Sequence, residues 1–189
     1  MTIKKLSKKF GKKIIFDSFF LDIGDSGIYA LKGESGCGKT TLLRMISGLD
    51  KKYSGNIDLE NIKRISYVFQ EPRLLEHSTA LENVMLVIPK DENQREKAVY
   101  WLKKLGLENE INAYPDELSG GMKQRVAIAR AFCYDGDILL LDEAFNGIDE
   151  ERVKSIADII LEFAKNKPVI IVSHNKEHLD MLNARVIEL

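Results

Sequence analysis

The chain has 189 residues, which is enough for one well-buried domain or one domain with a subdomain. Its 28 Lys and Arg residues nearly balance 29 Asp and Glu residues, so no overall positive field favours nucleic acid as a partner. Two cysteines without metal-ligand spacing are too few for a disulfide framework and favour a reducing, cytoplasmic compartment.

Neither a signal peptide nor an apolar run approaching the ~18 residues of a membrane span is visible in the sequence. We therefore expect the chain to act at a membrane only through a partner. Six lysines lie within residues 1–13. We interpret them as the solvated side of edge strands, where lysine discourages association between sheets; attraction to lipid headgroups is the alternative.

Alternating apolar and polar residues, separated by glycine-containing turns, predict short antiparallel strands over residues 1–30. Residues 53–56 are typical of another turn, and residues 57–59 of a strand that follows it. Residues 65–69 predict a further strand, which ends at Gln70. We assign the antiparallel strands to an N-terminal β subdomain.

A strand, a glycine loop and a helix start are predicted at residues 28–46. The loop carries the P-loop pattern GxxxxGK[ST], in which backbone N–H groups and the helix N-terminus surround phosphate oxygens. In this pattern Lys39 reaches the β- and γ-phosphates and the Thr40 hydroxyl ligates Mg²⁺. We predict that a nucleoside triphosphate binds here, and that Cys37 is an alkylation-sensitive thiol. The candidate binding residues are Gly33, Ser35, Gly36, Cys37, Gly38, Lys39, Thr40 and Thr41.

The spacing of apolar residues becomes helical between residues 71 and 118 and predicts a helical subdomain. We expect it to be inserted between two parts of a nucleotide-binding core, residues 1–70 and 119–189. Buried strands predicted at residues 138–141 and 169–172 alternate with helices, which is typical of a parallel sheet with ligands at its carboxyl edge. The predicted fold class is therefore α/β: a P-loop NTPase (RecA-like) core, an N-terminal antiparallel β subdomain and an inserted α-helical subdomain.

Polar residues follow these strands at that edge. We assign Asp142 to Mg²⁺ and Glu143 to the attacking water, because phosphoryl transfer needs a carboxylate for each task. Gln70 is a candidate for contact with Mg²⁺ or the water, and His174 for donation to the γ-phosphate. Ordinary loop polarity is the alternative for both residues.

A second candidate anion site lies at residues 118–125. Ser119 is a predicted N-cap, and Gly120 and Gly121 begin the helix behind it. One chain's P-loop already holds the phosphates, so this second site is superfluous unless it serves the nucleotide of another chain. We therefore predict a head-to-tail pair of chains.

Over essentially its whole length the sequence resembles the ATPase subunit of an ABC transporter. LSGGMKQR at 118–125 matches the ABC signature, GESGCGKT matches Walker A, and ILLLDEAF at 138–145 resembles Walker B with its following glutamate. Gln70 falls at the Q-loop of this family, Asp149 at the end of its D-loop, and His174 at its switch histidine. Phe10 falls where the family stacks an aromatic ring on adenine. The resemblance implies hydrolysis of ATP with Mg²⁺ in a dimer, coupled to membrane permease subunits at the inner face of the membrane.

Residues 68–75 and 79–84 resemble the nitrate, sulfonate and taurine importer group, which implies an extracytoplasmic solute-binding protein as a further partner. Three alternatives stay open: an exporter ATPase, a non-transport ABC protein acting on ribosomes or DNA, and a nucleotide-binding switch without useful turnover. The balanced charge disfavours the second, and Asp142, Glu143 and His174 disfavour the third.

The sequence departs from the family pattern at several positions. Ala144 replaces a common proline, residues 146–148 replace the common Ser-Ala-Leu of the D-loop, and Asn175 stands where aspartate is frequent. We expect Gly147 to loosen the loop that couples the two sites. The chain ends fifteen residues after His174, so we expect it to lack the C-terminal regulatory extension of some importer ATPases.

Overall fold

The computed structural model describes residues 1–89 and 93–189. The strands are β1 Thr2–Phe10, β2 Lys13–Asp22, β3 Gly27–Lys32, β4 Ser54–Asp58, β5 Ile65–Val68, β6 Ile138–Asp142, β7 Pro168–Val172 and β8 Arg185–Glu188. The helices are α1 Lys39–Ile46, α2 Ala80–Met85, α3 Gln94–Lys104, α4 Gly120–Tyr134, α5 Glu150–Ala164 and α6 Lys176–Met181.

A parallel sheet with strand order β5-β6-β7-β3-β8 forms the centre of the molecule. Every residue of β6 and β7 is buried, because helices or a second sheet cover both faces of these strands. The strands are parallel, so the P-loop after β3, the carboxylates at the end of β6 and the polar residues after β5 and β7 lie at one edge. This arrangement confirms the predicted fold class.

β8 was not predicted from the sequence. It is a four-residue strand at the sheet edge, and Val186 in its middle is 52% exposed. A run this short and this exposed lacks the apolar pattern that marked β6 and β7. Only its pairing with β3 defines it as a strand.

The second sheet is antiparallel, with strand order β2-β1-β4. Its first two strands are nine and ten residues long, so the prediction of short strands here was too conservative. The predicted turn at 53–56 was wrong, because residues 54–56 belong to β4 and pair with β1. Gly55 has φ +97°, and a Cβ there would lie 2.3 Å from the carbonyl O of Lys5, so glycine permits a close approach at an irregular pairing.

One of the N-terminal lysines is not solvated, which corrects the edge-strand interpretation. Lys8 is 4% exposed, and its Nζ donates to Asp50 Oδ2 at 2.6 Å and to the carbonyl O of Lys52 at 2.8 Å. The same ammonium lies 4.6 Å from the centroid of the Phe10 ring. Sequence alone gave no sign of this partner, since Asp50 is forty-two positions away.

Two hydrophobic cores lie on opposite faces of the parallel sheet. Successive strand residues point to different faces, so Leu139 and Leu141 belong to one core and Ile138 and Leu140 to the other. Helices α2 to α5 cover the first core, while α1 and the antiparallel sheet cover the second.

Helices α2 and α3 pack against each other and against α4. Thr79 and Glu82 form a capping box that starts α2. Trp101, predicted to be a core residue, is only partly buried and stacks on buried Phe132 with ring centroids 5.0 Å apart. The division of the chain into a core and a helical subdomain at residues 71–118 stays a prediction.

Candidate functional site

The P-loop has a backbone path that requires glycine. Gly38, the N-cap of α1, has φ +116°, and a Cβ there would lie 2.5 Å from Ile15 Cγ2 and 2.9 Å from Phe16 Cζ. The antiparallel sheet therefore presses directly on the loop, and only a residue without a side chain fits between them.

Lys39 is 7% exposed, and its ammonium group is hydrogen-bonded to the loop that precedes it. Its Nζ donates to the carbonyl oxygens of Gly33 at 2.8 Å and Glu34 at 3.0 Å and lies 3.9 Å from Cys37 Sγ. A Cβ on Gly33 would lie 2.7 Å from the same sulfur. The thiol thus lies against Gly33 and the Lys39 ammonium within the loop, and its sensitivity to alkylation stays a prediction.

Two side chains hold the Asp142 carboxylate. The Thr40 hydroxyl donates to Oδ1 at 3.0 Å and the Tyr67 hydroxyl to Oδ2 at 3.3 Å. Burial raises the pKa of Asp142, and the two hydrogen bonds oppose that rise. Burial and the neighbouring Asp142 raise the pKa of Tyr67, so its hydroxyl keeps its proton and remains a donor.

Glu143 lies at the cavity wall with a strained backbone, at φ +50°. Its Oε1 is 3.3 Å from His174 Nε2, but the two groups are not aligned as a hydrogen bond, and Oε1 has no hydrogen-bond partner within residues 1–89 and 93–189. Burial raises the pKa of Glu143, and the nearby imidazole opposes that rise. Although Oε1 itself is buried, Glu143 lines the cavity described next, which is where a proton acceptor for a water molecule in that cavity has to lie.

A cavity of about 560 Å³ brings these elements together. It is lined by Phe10, Lys13, Ile15, Ser35, Gly36, Gly38, Lys39, Thr40, Thr41, Gln70, Glu143, Asn146, Val172 and His174. Most of the predicted site residues therefore line this one cavity. Gly33, Cys37 and Asp142 are not lining residues; each instead contacts a residue that is.

Four lining residues were missed by sequence reasoning: Lys13, Ile15, Asn146 and Val172. Lys13 was grouped with the solvated lysines, yet its Nζ lies 3.4 Å from the Gly36 carbonyl oxygen. Ile15 and Val172 have no chemical signature in the sequence. Asn146 was noted only as a departure from the family pattern.

The predicted signature residues Ser119, Gly120 and Gly121 do not line this cavity. Ser119 is the N-cap of α4, as predicted, and its Oγ accepts from the backbone N–H of Met122 at 3.2 Å. A Cβ on Gly121 would lie 2.2 Å from the carbonyl O of Gly147, which has φ +75°. The signature turn and the D-loop are thus in direct backbone contact.

Asn175, a further departure, is the N-cap of α6, and its Oδ1 accepts from the Glu177 backbone N–H at 2.8 Å. Asparagine serves as well as aspartate in that position. Asp149, at the end of the D-loop, caps α5 by accepting from Arg152 N at 2.9 Å.

Comparison with known proteins points to one family. A profile of the ABC transporter family matches residues 16–146. Aliphatic sulfonates import ATP-binding protein SsuB 2 of Frankia alni is 38% identical, with 100% of this chain and 76% of that protein aligned. Arginine transport ATP-binding protein ArtM of Bacillus subtilis is 37% identical, with 91% and 80% aligned.

A similar solved structure is the dimeric, post-hydrolysis state of the ATP-binding cassette MJ0796 bound to ADP and Pi. It superposes with a TM-score of 0.86 at 30% sequence identity, over 100% of this chain and 93% of that one. A further dimeric structure of MJ0796, described as a bacterial ABC transporter cassette, gives the same values. Helices long and apolar enough to cross a membrane do not occur in the part of the chain that the structure describes.

Proposed function

The chain belongs to the ABC transporter family as one of its ATP-hydrolysing, ATP-binding subunits, and from that premise we propose a residue-level mechanism and its partners. In this proposal two copies sandwich two MgATP molecules, hydrolyse them, and drive solute import through separate permease subunits at the cytoplasmic face of a membrane. The observation that carries the proposal is that Lys39, Thr40 and Glu143 line one cavity, with Asp142 hydrogen-bonded to Thr40 behind it.

The chain's own groups bind and orient the triphosphate. The N-terminus of α1 and the backbone of the lining residues Gly36 and Gly38 bind the phosphates, and Lys39 adds a positive charge. Glu143 accepts the proton of the attacking water, and His174, beside it, donates to the γ-phosphate. Phe10 stacks on the adenine, with the buried Lys8 ammonium behind its ring.

The residues present suit a magnesium ion that is shared with the phosphates. Thr40 and Asp142 would supply oxygen ligands from two chain segments, and Gln70 is a further candidate at the cavity wall. No group of three or more His, Cys, Asp or Glu side chains in residues 1–89 and 93–189 forms a complete metal cage. Mg²⁺ commonly takes one or two protein ligands and fills its octahedron with phosphates and water, so the sparse set fits. When bound, the ion neutralises charge on the phosphate oxygens.

The second copy supplies the signature turn. Ser119, Gly120 and Gly121 lie outside the chain's own cavity, yet they form the N-terminus of a fifteen-residue helix with a serine cap. Such a terminus attracts a phosphate group, and a head-to-tail dimer would place it over the γ-phosphate held by the partner. The dimeric structures of the similar cassette MJ0796 support the formation of a dimer.

A groove of about 490 Å³ beside the Q-loop is the proposed docking site for the permease. Leu49, Leu75 and Leu86 line it and are each more than half exposed. Apolar surface of this kind suits a short helix of a membrane subunit. The relatives named as import and transport proteins support uptake, and with it an extracytoplasmic solute-binding protein as a further partner.

Glu143→Gln tests the proposed chemistry. The variant should release phosphate at least about a hundredfold more slowly, because a neutral amide cannot accept the proton of the attacking water. It should also accumulate as a dimer at saturating MgATP, which size-exclusion chromatography with light scattering would detect. Glu151→Gln, which changes an exposed carboxylate in the first turn of α5, is the matched control and should behave like the parent. Turnover of Glu143→Gln at the parental rate would remove Glu143 from its role.

A further inference from the structure

Tyr67 makes a contact with Asp142 that none of the sequence motifs accounts for. Its hydroxyl crosses from β5 to β6 and donates to Oδ2 at 3.3 Å, while Thr40 donates to Oδ1 at 3.0 Å. The two carboxylate oxygens thus each have their own donor, from different chain segments. Asp142 is 2% exposed, so these donors, and not bulk water, fix the plane of the carboxylate.

The Tyr67 ring is itself held by a stack of side chains. It packs on Phe69 with ring centroids 4.0 Å apart and an interplanar angle of 18°. The guanidinium of Arg73 covers the Phe69 ring, with its Cζ 4.1 Å from the centroid. Arg130 anchors the far end by donating to the Arg73 carbonyl O at 3.0 Å. Phe69 follows the end of β5 and lies two positions after Tyr67, and its ring packs on the same side of the chain as the Tyr67 ring.

We propose that Tyr67 is a positioning residue for the Asp142 carboxylate, and that the stacked Phe69 and Arg73 hold its ring in the orientation this requires. The proposal rests on the proposed function, since it takes Asp142 as part of the Mg²⁺ site. Magnesium demands near-ideal octahedral geometry, so a ligand held in the correct plane binds it better. Side chains that orient a metal ligand commonly contribute about tenfold or more to metal affinity or activity.

The stack also lines the groove where the permease is proposed to dock: Tyr67, Phe69 and Arg73 are all lining residues. A partner helix seated in the groove would therefore contact the side chains that orient Asp142. The orientation of the carboxylate is in this way open to influence from the permease side without any contact between the permease and the nucleotide.

Tyr67→Phe is the direct test, because it keeps the stacked ring and removes only the hydroxyl. We expect the Mg²⁺ concentration for half-maximal ATPase activity to rise about tenfold. Binding of a fluorescent ATP analogue in excess chelator should stay at the parental affinity, which a general disturbance of the site would not allow. Tyr134→Phe is the matched control: Tyr134 lines the same groove, and its ring packs under Arg64 instead.

The outcomes separate this inference from the proposed function. If the parent needs Mg²⁺ and Tyr67→Phe needs the same Mg²⁺ concentration as the parent, the positioning role of Tyr67 is overturned and the proposed function is not. A parent that hydrolyses ATP without a divalent cation would instead overturn the proposed function. If Tyr67→Phe binds the ATP analogue more weakly than the parent in excess chelator, Tyr67 has a purely structural role, and the inference is also overturned.

A second variant tests the stack. Phe69→Leu removes the stacked ring and leaves the hydroxyl, so it should raise the Mg²⁺ requirement by part of the effect of Tyr67→Phe. The double variant should be no worse than Tyr67→Phe, because both changes act through one contact. Independent, multiplying effects would show that Phe69 does not act through Tyr67.

Discussion

Glycine at positions 121 and 147 is a steric requirement of this chain. The Gly147 carbonyl fits against Gly121 because Gly121 has no side chain, since a Cβ there would lie 2.2 Å from that oxygen. At Gly147 the requirement is conformational, because its φ of +75° is one that L side chains rarely adopt. We expected Gly147 to loosen the D-loop, and that remains a prediction about the dimer. Within one chain its conformation lets the D-loop rest directly on the signature turn.

Gly121→Ala should lower the free energy of unfolding of the nucleotide-free monomer by about 1–3 kcal/mol, because its Cβ cannot fit without moving the D-loop backbone. Urea denaturation followed by circular dichroism measures this. Gly120→Ala is the control: its added Cβ would meet nothing within 4 Å, and alanine is the better helix former. Equal free energies of unfolding for the two variants would show that the contact between Gly121 and Gly147 does not contribute to stability.

At the scale of elements, Asp137 fixes where β5 and β6 begin. Its Oδ2 accepts from the backbone N–H groups of Lys63 and Arg64, both at 2.8 Å. These bonds, with that from Arg64 the larger cause, lower the pKa of Asp137. A carboxylate with a lowered folded-state pKa stabilises the fold above its unfolded pKa of about 4, and this stabilisation is lost as the pH falls through the folded value.

Asp137→Asn should therefore lower the free energy of unfolding by about 1 kcal/mol at neutral pH, through weaker bonds to the two backbone donors. The difference from the parent should shrink as the pH is lowered below about 4, where the parental carboxylate begins to be protonated. A pH series of urea transitions tests both points. Asp158→Asn, in an exposed position of α5, should show neither effect. A pH-independent difference would exclude the charge as its cause.

At the scale of the whole molecule, the site is divided between two places on the surface. Lys39, Thr40, Glu143 and His174 line the cavity, and Asp142 lies behind it in contact with Thr40, whereas Ser119 does not line it. In a monomer the two regions act separately. The proposed head-to-tail dimer would bring them together, so ATP binding and ATP hydrolysis should respond differently to changes at the signature turn.

Ser119→Arg should abolish ATPase activity and leave the affinity of the monomer for ATP within about twofold of the parent, because the bulky side chain blocks the partner and not the chain's own cavity. Equilibrium binding and phosphate release, measured on the same preparation, test this split. Thr79→Arg is the control, since it removes an N-cap at α2 in the same way. A large loss of monomer affinity in Ser119→Arg would contradict the division of the site.

Local sequence patterns were enough to predict the fold class and most of the residues that line the cavity. Buried strands carry unbroken apolar runs, and phosphate loops carry glycines at fixed spacing, so residues 33–40 and 138–143 could be assigned from local pattern. Tertiary structure alone decided the burial of Lys8, the strand at residues 185–188, the contact between Gly121 and Gly147, and the donation from Tyr67 to Asp142. Each of these features depends on a residue that is distant along the chain and is brought close only by folding, and a local sequence pattern does not reveal such a partner.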